Sequence, residues 1–252
     1  MKYIDISTFQ GDVDFERVKQ TDVKGIIVRA GYGQNNIDEK FERNMRECNR
    51  LGIPVGVYWF SYAYNPERAK KEAEYCLAAI KPYRVELPVA WDWEYASRDY
   101  ALRYNPQFNA ATANACLRAF CGTIEAGGYY AMLYTGKYLL RDYFTDNAAY
   151  DKWIALYPSG APDLANPPRP CGIWQWGGSQ VDGIKGNVDT DEAYHDYAKL
   201  IKSAGLNHLN DLPAEEAWAR ERGLITADTD LDTALTKREA VKWLYALTKG
   251  DE

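Results

Sequence analysis

Residues 87 to 95 read Leu87-Pro88-Val89-Ala90-Trp91-Asp92-Trp93-Glu94-Tyr95, an apolar, strand-like run that ends by setting two carboxylates two positions apart. Side chains alternate faces along a strand. Asp92 and Glu94 therefore share one face, with Cβ atoms roughly 6 to 7 Å apart at about 3.3 Å rise per residue. Two acids at that range can divide their work: one walled in by aromatic rings keeps its proton, and one better solvated or hydrogen-bonded stays an anion. Glu94 takes the first role in this reading and Asp92 the second. That is the chemistry of glycoside cleavage, in which one carboxyl protonates the leaving oxygen and the other supports positive charge at the anomeric carbon. The same triplet also arises as a chance pair of strand-end surface acids, so the rest of the chain has to decide.

Around this run, strand-like and helix-like segments take turns. Short β-branched or aromatic stretches predict strands over 2–7, 25–30, 54–62, 87–92, 129–134, 152–156 and 172–176. Helices are predicted between them over 15–19, 38–51, 66–80 and 109–126, and after the last strand over 191–204. Asp14 precedes the first as an N-cap, Pro66 opens the third, and Gly127-Gly128 closes the fourth. Such alternation predicts a parallel sheet covered by helices, either an open doubly wound sheet or a barrel. Gly31-Tyr32-Gly33 is only a turn fragment, not a glycine-rich phosphate loop, which counts against a nucleotide-binding fold. In a parallel barrel the active residues lie at the carboxyl ends of strands, and Asp5, Tyr58, Asp92, Glu94, Tyr134 and Trp174 all fall at or near such ends.

Composition narrows the chemistry. The 252-residue chain carries a net charge of −6 and no basic cluster of the kind that tracks phosphate, so nucleic acid is not an expected partner. No apolar stretch reaches the length of a membrane span, so membrane insertion is not expected either. The start, Met1-Lys2-Tyr3-Ile4-Asp5-Ile6-Ser7, runs straight into a strand without a secretory segment, and export by that route is not expected. Five cysteines, odd in number and without paired C-x-x-C spacing, point to free thiols rather than a disulfide framework or a zinc site. With only His195 and His208 available, carboxylates are the natural groups for proton transfer, and the reading calls for no cofactor and no metal.

Eight separated motifs, in order, resemble those of the glycoside hydrolase family 25 lysozymes. Asp5-Ile6-Ser7-Thr8-Phe9-Gln10-Gly11 is similar to the family's first-strand D-x-S-x-x-Q, Gly25 to Tyr32 to its second strand, Gly56-Val57-Tyr58-Trp59-Phe60 to its third and Asp92-Trp93-Glu94 to its central D-x-E. Leu133-Tyr134-Thr135, the run from Trp153 to Tyr157 and Ile173-Trp174-Gln175-Trp176 resemble its later strands, and Gly183 to Asp189 resembles its final turn. The resemblance covers about residues 3 to 197 and implies an irregular TIM-like (β/α) barrel. It also implies hydrolysis of the β-1,4 bond between N-acetylmuramic acid and N-acetylglucosamine in peptidoglycan, with peptidoglycan as the partner. Two departures stand out: Trp59 where the family commonly has His, and Asp189-Thr190-Asp191 where it commonly has D-x-N. Trp59 either reshapes a sugar subsite or repacks a strand; Asp191 suits the N-cap of the last helix.

On that footing Glu94 is the expected general acid and Asp92 the nucleophile or the stabiliser of a ring formed by the substrate's own 2-acetamido group. Asp5 and Asp189 meet if the barrel closes, and orient substrate or tune the pair. Tyr58, Trp59, Tyr62, Tyr134, Trp153, Trp174 and Gln175 are the expected substrate-binding residues. The alternative function is a non-hydrolytic wall-glycan-binding barrel that kept the aromatics and lost turnover. Residues 1–204 form the expected catalytic domain and 205–252 a small helical tail. Trp218-Ala219, Gly223-Leu224-Ile225 and Leu235 to Ala240 in that tail are similar to part of a surface-layer-homology repeat, which implies wall attachment; pairing of tails into a homodimer is the other role for its apolar face. The whole fits a phage or prophage endolysin made in the cytoplasm of a bacterial host and acting on the wall after release, with a bacterial autolysin as the alternative source.

Overall fold

The computed structural model describes residues 1–144 and 149–209. The tail over 210–252, with its expected wall-binding or dimerising role, lies outside the described residues. The strands are β1 (Lys2–Ile6), β2 (Gly25–Tyr32), β3 (Asn36–Ile37), β4 (Val55–Phe60), β5 (Val89–Asp92), β6 (Ala131–Gly136), β7 (Asp151–Ala155), β8 (Ile173–Gln180) and β9 (Asn187–Ala193). The helices are α1 (Phe15–Lys19), α2 (Phe41–Leu51), α3 (Pro66–Ile80), α4 (Tyr95–Tyr104), α5 (Ala110–Ala126), α6 (Lys137–Tyr143) and α7 (Tyr197–Ser203).

Hydrogen bonding runs β1-β2-β4-β5-β6-β7-β8-β9 and returns to β1, which closes an eight-stranded barrel; β3 is a short antiparallel edge on β2. Neighbours are parallel throughout except β9, which lies antiparallel to both β8 and β1. Of the two architectures open to the sequence, the barrel is therefore the one formed, made irregular by that single reversed strand.

β9 also corrects the expected helix over 191–204. Asp191 lies within the strand, and the helix begins only at Tyr197, where the Asp196 carboxylate accepts from the Lys199 N–H at 3.1 Å as N-cap. The lumen-facing positions of β9 are acids rather than aliphatics, so the strand carries no hydrophobic alternation to read.

Strand alternation sorts the apolar residues into two layers. Ile4, Val28, Val57, Trp59, Val89, Trp91 and Leu133 face outward and pack with helix residues such as Met45, Cys76, Leu117 and Phe120. Tyr3, Ile27, Ala90, Met132, Tyr134, Trp153 and Ile173 fill the lumen, in one cluster with Tyr197, Ile201 and Leu209. Such a packed lumen is a floor for a site, not a pore. Residues 205–209, the first of the stretch assigned to the tail, pack on the barrel. The Asn207 side chain donates to the Val85 and Leu87 carbonyls, both at 3.1 Å, and accepts from the Tyr130 N–H at 2.7 Å. All five cysteines are unpaired, and four are buried.

Candidate active site

Asp92 ends β5 with its side chain turned into the lumen, only 2% exposed. The strand end is clamped from both sides: the Ser61 N–H donates to the Asp92 carbonyl at 2.9 Å, the Trp93 N–H to the Tyr134 carbonyl at 3.0 Å, and the Thr135 hydroxyl to the Trp93 carbonyl at 2.6 Å. Glu94 then occupies the N-cap position of α4, its own N–H bonded to Ser97 Oγ at 3.1 Å. A strand-to-helix corner thus fixes both acids, with Glu94 half-buried on the open side and Asp92 beneath it. Behind the neighbouring strand, the buried Glu72 of α3 accepts from the Ser61 hydroxyl at 2.6 Å and the Tyr62 N–H at 2.9 Å, which holds the turn after β4 in place. Burial pushes the Glu72 carboxyl up to about 8.

The Asp92 and Glu94 carboxyls are close enough for each to act on the ionisation of the other. Burial raises both; for Asp92 the negative charges of Glu94 and Asp5 raise it further, well above the carboxylate range. Asp92 is the more deeply buried of the two, so it is not the better solvated member that the sequence led one to expect. Among the described residues Asp92 Oδ1 meets no hydrogen-bond donor, as befits a group that is not held as a bare carboxylate.

A second carboxyl pair lies across the lumen. Asp5 and Asp189 are register partners on β1 and β9, so closure of the barrel does bring them together. Asp191, two residues on, is fully buried, accepts from Trp153 Nε1 at 2.7 Å, and lies near enough to Asp5 for each to act on the other's ionisation. Burial, then the Asp189 charge, push Asp5 up to about 8. Gln175 Nε2 donates to Asp5 Oδ2 at 2.8 Å, and Gln175 Oε1 accepts from the Tyr134 hydroxyl at 2.8 Å. Tyr58 packs edge-on against Trp153 with ring centroids 6.2 Å apart, and burial keeps its phenol protonated.

Asp5, Tyr58, Asp92, Glu94, Tyr134, Trp153, Gln175 and Asp189 are accordingly gathered at one end of the barrel. Trp153, 1% exposed, is floor rather than wall. Trp59 and Trp174, expected at the cleft, are not there. Trp59 faces the outer layer, fully buried, with its indole N–H on the Gly33 carbonyl at 3.1 Å. Its ring fills space that a Cβ on Gly31, its register partner, would need: 2.7 Å would separate them. Trp174 occupies the outward face of β8 and donates to the Leu156 carbonyl at 2.8 Å. Both positions follow from strand alternation, one residue out of phase with Tyr58 and Gln175.

Sequence reasoning missed Arg29, Asp38, Tyr157 and the buried setting of Asp191. Arg29 pairs with the buried Asp38 at 2.7 Å while its positive charge acts on Asp92 and Tyr58. Beside it a cleft of about 420 Å³ opens between Phe9, Tyr32, Phe60 and Tyr62. The Arg29-Ala30-Gly31-Tyr32 run was the available signal: a charged residue in an otherwise apolar strand.

Taken together, fold and site define an α/β-barrel protein with a carboxylate cluster at the carboxyl ends of its strands. The chain belongs to glycosyl hydrolases family 25, whose family model matches residues 4–184. It is similar to an autolytic lysozyme of Clostridium acetobutylicum, 25% identical over 193 residues that make up 76% of this chain and 55% of the relative. The chain thus spans about half the length of that curated relative. Among solved structures it resembles the modular autolysin LytC from Streptococcus pneumoniae in complex with a synthetic peptidoglycan ligand, at 28% identity and a TM-score of 0.63 over 75% of this chain and 46% of that one. The catalytic domain of endolysin ply40 from bacteriophage P40 of Listeria monocytogenes shares the fold, at 21% identity and a TM-score of 0.68 over 80% of this chain and 97% of that one.

Proposed function

We propose that the protein is a peptidoglycan hydrolase that cleaves the β-1,4 bond between N-acetylmuramic acid and N-acetylglucosamine. The observation that carries this reading is the adjacent pair of Asp92 and Glu94 at the carboxyl end of β5, both with carboxyls raised by burial and Glu94 on the open side. Family membership and the likeness to an autolytic lysozyme support it. When a sugar covers the pair, Glu94, raised by burial and on the open side, carries the proton and delivers it to the leaving oxygen. Asp92 serves as the anion next to the anomeric carbon, where positive charge develops. It either bonds to that carbon or steadies the 2-acetamido group as the latter closes on it. Glu94, now ionised, removes a proton from the incoming water and restores the starting state. Asp5 and Asp189 orient the sugar, and Arg29 keeps the cluster's net charge within bounds. The protein acts on the bacterial wall, as an endolysin or an autolysin.

Digestion of purified peptidoglycan tests the reading. New reducing ends should appear on N-acetylmuramic acid. Ends on N-acetylglucosamine alone, or cuts confined to the stem peptides, would overturn it. Glu94→Gln should stay folded and lose 10²- to 10⁴-fold in turnover, roughly the contribution of a general acid.

A further inference from the structure

Helix α4 leaves the acid pair directly, since it begins one residue after Glu94, yet it buries only Ser97 and Ala101. A surface helix with so small a packed face ordinarily presents charged residues to water. Beside Arg98, Asp99 and Arg103, this one presents tyrosines. Tyr100 is half-buried and Tyr104 is 54% exposed. They belong to a continuous chain of rings: Tyr62 to Tyr100 at 4.8 Å between centroids, Tyr100 to Tyr104 at 4.5 Å, and Tyr104 to Tyr64 at 5.6 Å with planes only 16° apart. The inner end is anchored in the site, because the Tyr62 N–H is held by Glu72 and the adjacent Ser61 N–H by the Asp92 carbonyl. At the outer end the Arg68 guanidinium lies 4.6 Å from the Tyr64 ring centroid and forms no salt bridge among the described residues.

Flat aromatic surfaces with polar rims suit pyranose rings, which are apolar on their faces and hydroxylated at their edges. An unpaired arginine at the end of such a track suits a carboxylate. A chain of net charge −6 has no general affinity for anions, so this local cation is selective. We propose that the tyrosine track from Tyr62 along α4 to Tyr64, ending at Arg68, is an accessory binding surface for the glycan strand of the polymeric substrate, with Arg68 engaging a carboxylate carried by that strand. The inference rests on the hydrolase reading above. A second point of attachment keeps the cut strand at high effective concentration beside the acids, which raises retention on a polymer without altering the chemical step.

The test compares the wild type with Tyr100→Ser/Tyr104→Ser and with Arg68→Gln. Sedimentation with purified peptidoglycan, in a Glu94→Gln background that blocks turnover, should show at least tenfold weaker retention for the double variant. Arg68→Gln should weaken retention at low salt and have no effect at high salt. Turnover of a short soluble glycan of two disaccharide units should stay within about twofold of wild type in both, with unchanged melting temperatures. Unchanged retention overturns the proposal, and so does an equal loss on short and polymeric substrates, which would place the tyrosines in the cleft or the core. A change in solution mass with retention intact would make the surface a protein interface and overturn it as well. If the wild type cleaves no glycan of any length, it is the hydrolase reading that fails; retention and its dependence on the tyrosines are still read separately.

Discussion

Gln175 Nε2 donates to Asp5 Oδ2 at 2.8 Å, which ties β1 to β8 across 170 residues of sequence. The same side chain accepts from Tyr134 and Tyr157, so one amide sets the orientation of an acid and two phenols in a buried network. Gln175→Met keeps the volume and removes every bond. The variant should lose about 2 to 4 kcal/mol of stability, since it strands buried polar groups at about 1 to 3 kcal/mol each. Turnover should fall at least tenfold while Glu94 stays intact. Urea unfolding and steady-state kinetics check the two parts; full activity would show that Asp5 does not need the amide.

The Asp92–Glu94 pair sets the pH dependence. Both carboxyls are raised by burial, so the one proton that the reaction needs persists above the range of an ordinary glutamate, whose pKa is about 4.3. Activity should therefore hold through the ordinary carboxylate range and decline as pH climbs through the raised value. A profile of kcat/KM against pH gives the position of that decline. A fall centred near the ordinary glutamate value would contradict a buried, raised acid.

Asp191 is a buried acid whose proton the folded state keeps, since burial and the Asp5 charge both raise it well above its ordinary value. Its folded-state pKa exceeds the unfolded one, so the native protein binds more protons and stability falls as pH rises above about 3.9, at about 1.4 kcal/mol per pH unit until the folded value is reached. Asp191→Asn places an amide donor against Asp5 and leaves the oxygen for Trp153. It should be more stable than wild type at neutral pH, with the difference vanishing toward pH 4. Thermal melts across that range decide the matter; a variant less stable at neutral pH would refute it.

Trp59 separates packing from binding. With its indole fully buried in the outer layer, Trp59→Ala should cost about 3 to 5 kcal/mol, as large core truncations do. Trp59→Phe should cost less and leave KM for soluble glycans unchanged. A raised KM in a stable Trp59→Phe protein would restore the sugar-subsite reading.

Much of this was legible in the sequence for a local reason. Alternation of strand and helix patterns requires only neighbouring residues, and so does the placing of Asp92 and Glu94 on one face at a strand end. The eight ordered motifs carry the family without reference to the fold. What the sequence left undecided depends on residues far apart in the chain. Barrel closure through an antiparallel β9 brings Asp189 to Asp5 and hides Asp191, and no local periodicity encodes it because the lumen-facing side chains there are acids. Which way Trp59 and Trp174 face follows from a register that Gly31 and the neighbouring strands fix. Depth of burial is likewise a property of the closed barrel: it puts Asp92 deeper than Glu94 and raises both carboxyls. Sequence determined which groups reach the site; the tertiary structure decided how dry each one is, and dryness sets charge.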